Sequence, residues 1–269
     1  MRRIVTVASQ KGGVGKTTTA LNLGYNLSRL GGRVLIVDGD PQAGITLASN
    51  LKKRTSKGLI NVLKRDCSPA DIIMTTKENT LSIAGIGIAE PQDVLLFESE
   101  ASKGNLREVL RSLSADFSYV IIDAPAGIGA TVAQLLAASD GVLMVAQCRT
   151  LSLKSLPSFL KLIQWVRQDR NPSLRFEGVV MTMMNEKNPY ELQLYDETKK
   201  MFPEGALFRT TIPYNDLYEQ ASLKSLPIAL LKDGGQAGKH YMELAMELKE
   251  RELKSELGEE KDEDVEGLF

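Results

Sequence analysis

Apolar positions along this chain come in two alternating periods. Short strand-like runs rich in apolar residues recur at 3–8, 33–38, 80–85, 118–123, 141–147, 175–183 and 207–212. Between them apolar residues fall three and four apart, as in Ala20, Leu23, Leu27 and Leu30. That spacing puts side chains on one face of a helix. Such patterns cover 17–30, 57–65, 104–114, 130–138, 153–169, 189–202 and 236–256. Runs such as Val34-Leu35-Ile36-Val37 and Tyr119-Val120-Ile121-Ile122 have no polar face, so both sides of their sheet must be covered. The alternation predicts βαβ units: a single-domain α/β fold with a mainly parallel, twisted sheet and helices on both faces. No Pro/Gly/Ser-rich linker, internal repeat or low-complexity stretch precedes residue 257.

Composition changes this picture little. A chain of 269 residues with 43% hydrophobic content can bury a sizeable core. Its net charge of −1 gives no global sign of nucleic-acid binding. The balance is uneven, because residues 257–269 hold six acids and one lysine. Removing that segment's −5 from the chain's −1 leaves +4 on residues 1–256. The reading is therefore one domain over 1–256 and an acidic tail over 257–269, expected to be solvated and disordered. Cys67 and Cys148 have no metal-ligand spacing and read as reduced thiols of a cytoplasmic protein. Met1-Arg2-Arg3 resembles the charged start of a signal peptide, but the apolar run behind it is only Ile4 to Ala8. No 18 consecutive residues are apolar, so no membrane span is expected.

The chemistry begins at Ser9-Gln10-Lys11-Gly12-Gly13-Val14-Gly15-Lys16-Thr17-Thr18. The general phosphate-loop pattern is Gly, four residues, Gly, Lys, then Ser or Thr. Gly15-Lys16-Thr17 supply its end, while Gln10 stands where the first glycine belongs. Glycines let backbone N–H groups approach phosphate oxygens, and a helix beginning near Lys16 adds its positive dipole end. In that pattern Lys16 reaches the β- and γ-phosphates and the Thr17 hydroxyl ligates Mg²⁺. The loop lies between a buried-strand pattern and a helical one, as a phosphate loop should. The sheet is therefore expected to be of the P-loop NTPase type.

Two more segments close predicted strands: Asp38-Gly39-Asp40-Pro41-Gln42 and Asp123-Ala124-Pro125-Ala126-Gly127. In a parallel α/β sheet ligands bind outside the carboxyl ends of the strands, so all three segments converge on one edge. A mostly apolar run ending in Asp marks Asp123 as a carboxylate near Mg²⁺. Asp40 is the candidate for orienting or deprotonating the attacking water, and it joins Thr17 and Asp123 in the candidate metal set. Each aspartate alone is as well read as a turn residue at a strand end; the phosphate loop tips the set towards function.

The loop, with its extra Lys11 and the signature Lys-Gly-Gly-x-Gly-Lys-Thr-Thr, resembles that of the MinD/ParA deviant Walker A ATPases. The order and spacing of the three segments resemble the ParA (Soj-like) branch over roughly residues 2–255. Asp38 to Gln42 looks like its switch I, and Asp123 to Gly127 like its switch II. The resemblance implies ATP and Mg²⁺ as cofactors and slow hydrolysis. It implies a homodimer in the ATP state, in which Lys11 crosses the interface to touch the partner's ATP. It makes Lys11, Gly12, Gly13, Val14, Gly15, Lys16, Thr17 and Thr18 the nucleotide-binding set and places Lys11, Lys16 and Asp40 in catalysis. Asn185, ending Gly178 to Met184, and Pro213 of Thr211-Ile212-Pro213 would flank the adenine. Non-specific DNA and a cargo adaptor that stimulates hydrolysis are the further partners implied, with a nucleoid-associated location.

The chain departs from that family pattern in three places. Ala43-Gly44 follow Pro-Gln where Gly-Asn is usual, and Pro125-Ala126 stand where Pro-Pro is common. These departures bear on switch dynamics more than on ATP binding. Tyr214 and Leu217 occupy positions where chromosomal relatives carry DNA-binding arginines. DNA contact therefore needs other cations, with Lys187 and Lys224 as leading candidates among Arg149, Lys154, Lys199, Lys200 and Lys239.

The function expected is an ATP-dependent dimerising ATPase that partitions DNA or positions a large cargo on the nucleoid. A membrane-cycling ATPase like MinD is the alternative. It needs a basic amphipathic end, and this chain ends in acids, which anionic lipid repels. A redox ATPase resembling the nitrogenase iron protein needs cysteines near the switch segments, and neither Cys67 nor Cys148 is close to Asp123 in sequence.

Overall fold

In a computed structural model that describes residues 2–49 and 55–257, eight strands form one sheet in the order β3-β4-β2-β5-β1-β6-β7-β8. In chain order they are β1 (Arg3–Ser9), β2 (Val34–Asp38), β3 (Ile73–Thr75), β4 (Leu81–Ala84), β5 (Tyr119–Ala126), β6 (Gly141–Gln147), β7 (Arg175–Met184) and β8 (Ile212–Pro213). All pairings are parallel except β3 with β4.

The long helices are α1 (Lys16–Arg29), α4 (Pro91–Ser102), α5 (Asn105–Leu113), α6 (Ala130–Ala137), α8 (Leu156–Asp169), α9 (Pro189–Met201) and α11 (Gly235–Glu256). Shorter ones are α2 (Gly44–Ala48), α3 (Leu59–Leu63), α7 (Thr150–Leu153) and α10 (Leu217–Leu223).

The apolar strands are explained by two cores, one on each face of the sheet. Val120 and Ile122 pack with Phe97, Leu110, Leu135 and Phe159 from α4, α5, α6 and α8. Ile121, between them, packs on the opposite side with Leu23, Leu27, Tyr241 and Leu244 from α1 and α11. Successive strand side chains point to opposite faces, so a strand covered twice has no polar position.

Several expectations change. The run 207–212 is strand only at Ile212 and Pro213; Leu207 makes a single bridge to Val179. The buried Glu247 carboxylate of α11 accepts the N–H groups of Arg209 (2.8 Å) and Thr210 (2.9 Å), taking from the ladder the donors a strand would need. The predicted helix at 57–65 shortens to α3, because Gly58 lies against Gly85 and Gly87. Helix α4 was not predicted, since Val94-Leu95-Leu96-Phe97 hides the helical period. Its start is signalled instead by Pro91 and by Asp93, which accepts the Ala89 N–H at 3.0 Å and pairs with Lys64 at 2.5 Å. The tail lies outside the described residues from 258 onward.

Candidate active site

Residues 10–15 join β1 to α1 at the carboxyl edge of the sheet. Gly13 (φ 71°) and Gly15 (φ 89°) take the left-handed conformation that glycine enters without strain. Neighbouring strands hold the loop from behind. Thr182 of β7 donates its hydroxyl to the Val14 carbonyl at 2.7 Å, and Gln147 of β6 donates to the Gly13 carbonyl at 3.2 Å. Helix α1 has no side-chain cap, so the N–H groups of its first turn remain available to an anion. Lys16 is buried, and its Nζ donates back to the Lys11 carbonyl at 3.3 Å. Burial lowers its pKa, opposed by the charges of Asp123 and Asp40.

Asp38 ends β2 and lies in register with Asp123 of β5. Both are fully buried. Thr17 donates its hydroxyl to Asp123 Oδ2 at 2.6 Å. Asp38 Oδ2 accepts the Thr46 N–H (2.8 Å) and hydroxyl (2.6 Å), which fastens α2 to the strand end. Burial pushes the Asp123 carboxyl up to about 8 and Asp38 up to about 6. The second oxygen of each, Oδ1, is buried without a hydrogen-bond partner. Asp40, half-buried on the loop beyond, accepts the Gln42 N–H on Oδ1 at 2.9 Å.

Two orphaned carboxylate oxygens beside a threonine hydroxyl suit a hard divalent cation. Among the described residues no three His, Cys, Asp or Glu side chains close into a protein cage. Mg²⁺ does not need one; it takes one or two carboxylates and leaves room for water and phosphate.

The raised Asp123 carboxyl has a consequence for stability. Its ordinary value is 3.8 and its folded value about 8. Below pH 4 both states are protonated. Between 4 and 8 the unfolded chain sheds a proton that the folded one keeps, so the ligand-free fold loses stability as pH rises. Asp123→Asn should therefore be more stable than wild type at pH 8, by at least the roughly 1.4 kcal/mol that one pKa unit represents. The gap should close towards pH 4. Urea titrations across that range check it.

Lys16, Thr17, Thr18, Asp40, Gly12, Gly13 and Gly15 line one cleft of about 600 Å³, with Pro125 and Ala126. The structure thus brings together the phosphate loop and both switch segments. Val14 meets the site only through its backbone, its side chain being in the core. The Lys11 side chain is exposed and does not line the cleft. Asn185 and Pro213 are neighbours, since Met184 pairs with Pro213 and accepts the Tyr214 N–H at 2.9 Å. Neither lines the cleft, and Asn185 Oδ1 is taken by the Lys187 N–H at 3.1 Å.

Sequence reasoning missed Met183, Val94, Glu98 and Glu219, which do line the cleft. Met183 lies two residues before Asn185 and could have been found from that strand; Val94 and Glu98 were hidden with α4. Asp38 was read as part of its segment but not as a site residue, although its pairing with Thr46 sets switch I.

The switch I departure has a definite shape. Ala43 takes φ 58°, a left-handed conformation that costs a non-glycine residue about 1 kcal/mol. Gly44 abuts the site: a Cβ there would stand 2.8 Å from Thr17 Oγ1. Expectation placed these departures in switch dynamics, yet position 44 touches the candidate metal ligand itself. Gly44→Ala should weaken Mg²⁺-dependent ATP binding at least about tenfold, as 1.4 kcal/mol of misplacement would, whereas Ala43→Gly should not. Calorimetric titration of both variants with ATP and Mg²⁺ decides it.

Residues 2–176 match the family described as an AAA domain. The sporulation initiation inhibitor protein Soj of Bacillus subtilis is 32% identical over 251 residues, covering 92% of this chain and 98% of Soj. The chromosome partitioning protein ParA of Myxococcus xanthus is 31% identical, covering 93% and 89%. Among solved structures, Mycobacterium smegmatis cobyrinic acid a,c-diamide synthase with bound ADP and magnesium superposes with a TM-score of 0.78 at 26% identity, covering 97% of this chain and 98% of that one. With a carboxyl-edge phosphate loop, two switch aspartates and near full-length likeness to Soj and ParA, the chain belongs to the ParA (Soj-like) branch of the MinD/ParA deviant Walker A ATPases.

Proposed function

We propose that this protein is a slow Mg²⁺-dependent ATP hydrolase that dimerises on ATP and partitions DNA or positions a large cargo on the nucleoid. The observation that carries the reading is the meeting of Lys16, Thr17 and Asp123 at one strand edge, with Thr17 2.6 Å from Asp123. We assign residues 1–256 to the ATPase domain and 257–269 to an acidic tail.

The residue roles follow from charge. Lys16 is held desolvated against the loop, so its attraction to the β- and γ-phosphates acts in a low-dielectric site. Thr17 and Asp123, with Asp40 beside them, are the groups to hold Mg²⁺, which when bound neutralises charge on the transferring phosphoryl group. Asp40 is partly exposed and can present its carboxylate to a water. The N–H groups of residues 12–18 cradle the phosphates, and Asn185 with Pro213 flanks the base.

Relatives named for chromosome partitioning support the cargo reading. A nucleoid location and an adaptor that stimulates hydrolysis belong to the same proposal. Among the described residues no helix is long and apolar enough to cross a membrane.

Lys187, after β7, and Lys224, after α10, are both exposed. On the dimer such cations act together, so weak contacts sum. Wild-type protein with ATP and Mg²⁺ should bind duplex DNA without sequence preference, and binding should fall steeply with salt. Lys187→Glu with Lys224→Glu should weaken it at least about tenfold and spare ATP binding. The absence of a DNA shift for wild type at low salt would remove the nucleoid from the proposal.

A further inference from the structure

At the opposite edge of the sheet, where the strands begin, three arginines line one small pocket that the nucleotide chemistry does not use. Arg2 precedes β1, and Arg107 and Arg111 lie one turn apart on α5. The pocket holds about 90 Å³ and is completed by Ser139, Asp140 and Asn171. Among the described residues none of the three guanidinium groups donates a hydrogen bond or pairs with a carboxylate, and Nε of Arg107 is buried without a partner.

Most acceptors in the wall are already in use. Asp140 accepts the Ile4 N–H at 2.7 Å on one carboxylate oxygen and keeps the other, exposed at the pocket's rim, without pairing to an arginine among the described residues. The Ser139 hydroxyl bonds to the Leu135 carbonyl at 2.8 Å, and the Asn171 amide reaches the Ser139 carbonyl at 2.7 Å, using that oxygen too. Arginines nearby are treated differently. Arg3, next in sequence, pairs with both Glu177 and Glu252 at 2.6 Å. Arg251 donates to the carbonyls of Glu177 and Leu207 and pairs with Glu247.

Like charges at i and i+4 on a helix are destabilising, and a buried donor left unpaired costs about 1–3 kcal/mol. An acceptor-rich anion would satisfy these donors and offset their repulsion. Guanidinium forks match phosphate oxygens in paired hydrogen bonds. The volume admits a tetrahedral oxyanion.

We propose that Arg2, Arg107 and Arg111 form a receptor for a phosphate group, at the sheet edge remote from the ATP site. The group comes either from the DNA backbone or from free phosphate. The first source rests on the nucleoid reading above; the second does not.

The test uses full-length protein saturated with a non-hydrolysable ATP analogue and Mg²⁺, so that the phosphate loop is filled. Occupancy is checked independently by displacement of a fluorescent nucleotide. Inorganic phosphate is titrated at constant ionic strength against chloride, reading the thermal-unfolding midpoint. Wild type should show a saturable rise, and Arg107→Gln with Arg111→Gln should need at least tenfold more phosphate. Without phosphate the variant should melt no lower than wild type, because repulsion has been removed; a purely structural role would lower it. Duplex DNA then separates the sources. Loss of DNA affinity in the variant assigns the pocket to the backbone phosphodiester, and unchanged DNA affinity with lost phosphate binding assigns it to the free anion. If wild type binds no DNA, the phosphate titration still stands. The proposal is overturned if the wild-type midpoint does not rise, or rises equally in the variant.

Discussion

Asp40→Ala is expected to bind ATP within a few-fold of wild type and to hydrolyse it at least about 10²-fold more slowly, the lower range for a lost general base or water-orienting group. Binding should survive because the groups facing the phosphates, and two of the three facing the metal, lie elsewhere. Lys16 and the N–H groups come from α1 and its loop, and Thr17 and Asp123 hold each other at 2.6 Å without Asp40. Among the described residues the Asp40 side chain makes one hydrogen bond, accepting the exposed Gln42 N–H in its own loop, so its loss leaves no buried group unpaired. Single-turnover measurement of phosphate release separates the steps. A rate within threefold of wild type would take Asp40 out of its role.

Lys11→Ala should weaken the ATP-bound dimer at least about tenfold while leaving the monomer's fold intact. A charge-assisted bond to phosphate contributes about 1.5–3 kcal/mol, which sets that figure. The Lys11 side chain is exposed and does not line its own cleft, whereas the Lys11 carbonyl is engaged by Lys16. The backbone of residue 11 therefore serves its own loop and the side chain is left free to reach a partner's nucleotide. Sedimentation velocity in the slow-hydrolysing Asp40→Ala background gives the dimer constants with and without this lysine. Equal constants would refute the crossing.

What the sequence revealed of the fold was what its hydrophobic period encodes. Six of the seven apolar runs became strands near the expected limits because each is buried on both faces, and two-sided burial leaves a continuous apolar signature. The seventh, 207–212, failed because its polar backbone is satisfied by Glu247 from a helix some forty residues away, which no local pattern records. Strand β3 is three residues long and half-exposed, too short to show alternation. Lys16, Thr17 and Asp123 were legible because phosphate and metal chemistry dictates residue type and spacing together. Asp38 was not, since its work is to hold Thr46 across a turn of irregular geometry. Nor was Gly44, whose importance lies in a contact with Thr17 that only the folded loop creates.

The central claim is that the carboxyl-edge cleft is an Mg²⁺–ATP site whose occupancy joins two chains. Light scattering on Asp40→Ala measures it most directly, with ATP and Mg²⁺, with ADP and Mg²⁺, and without nucleotide. The account predicts twice the 29.5 kDa chain mass with ATP and Mg²⁺ and the single-chain mass in the other two conditions. The same mass in all three would contradict it.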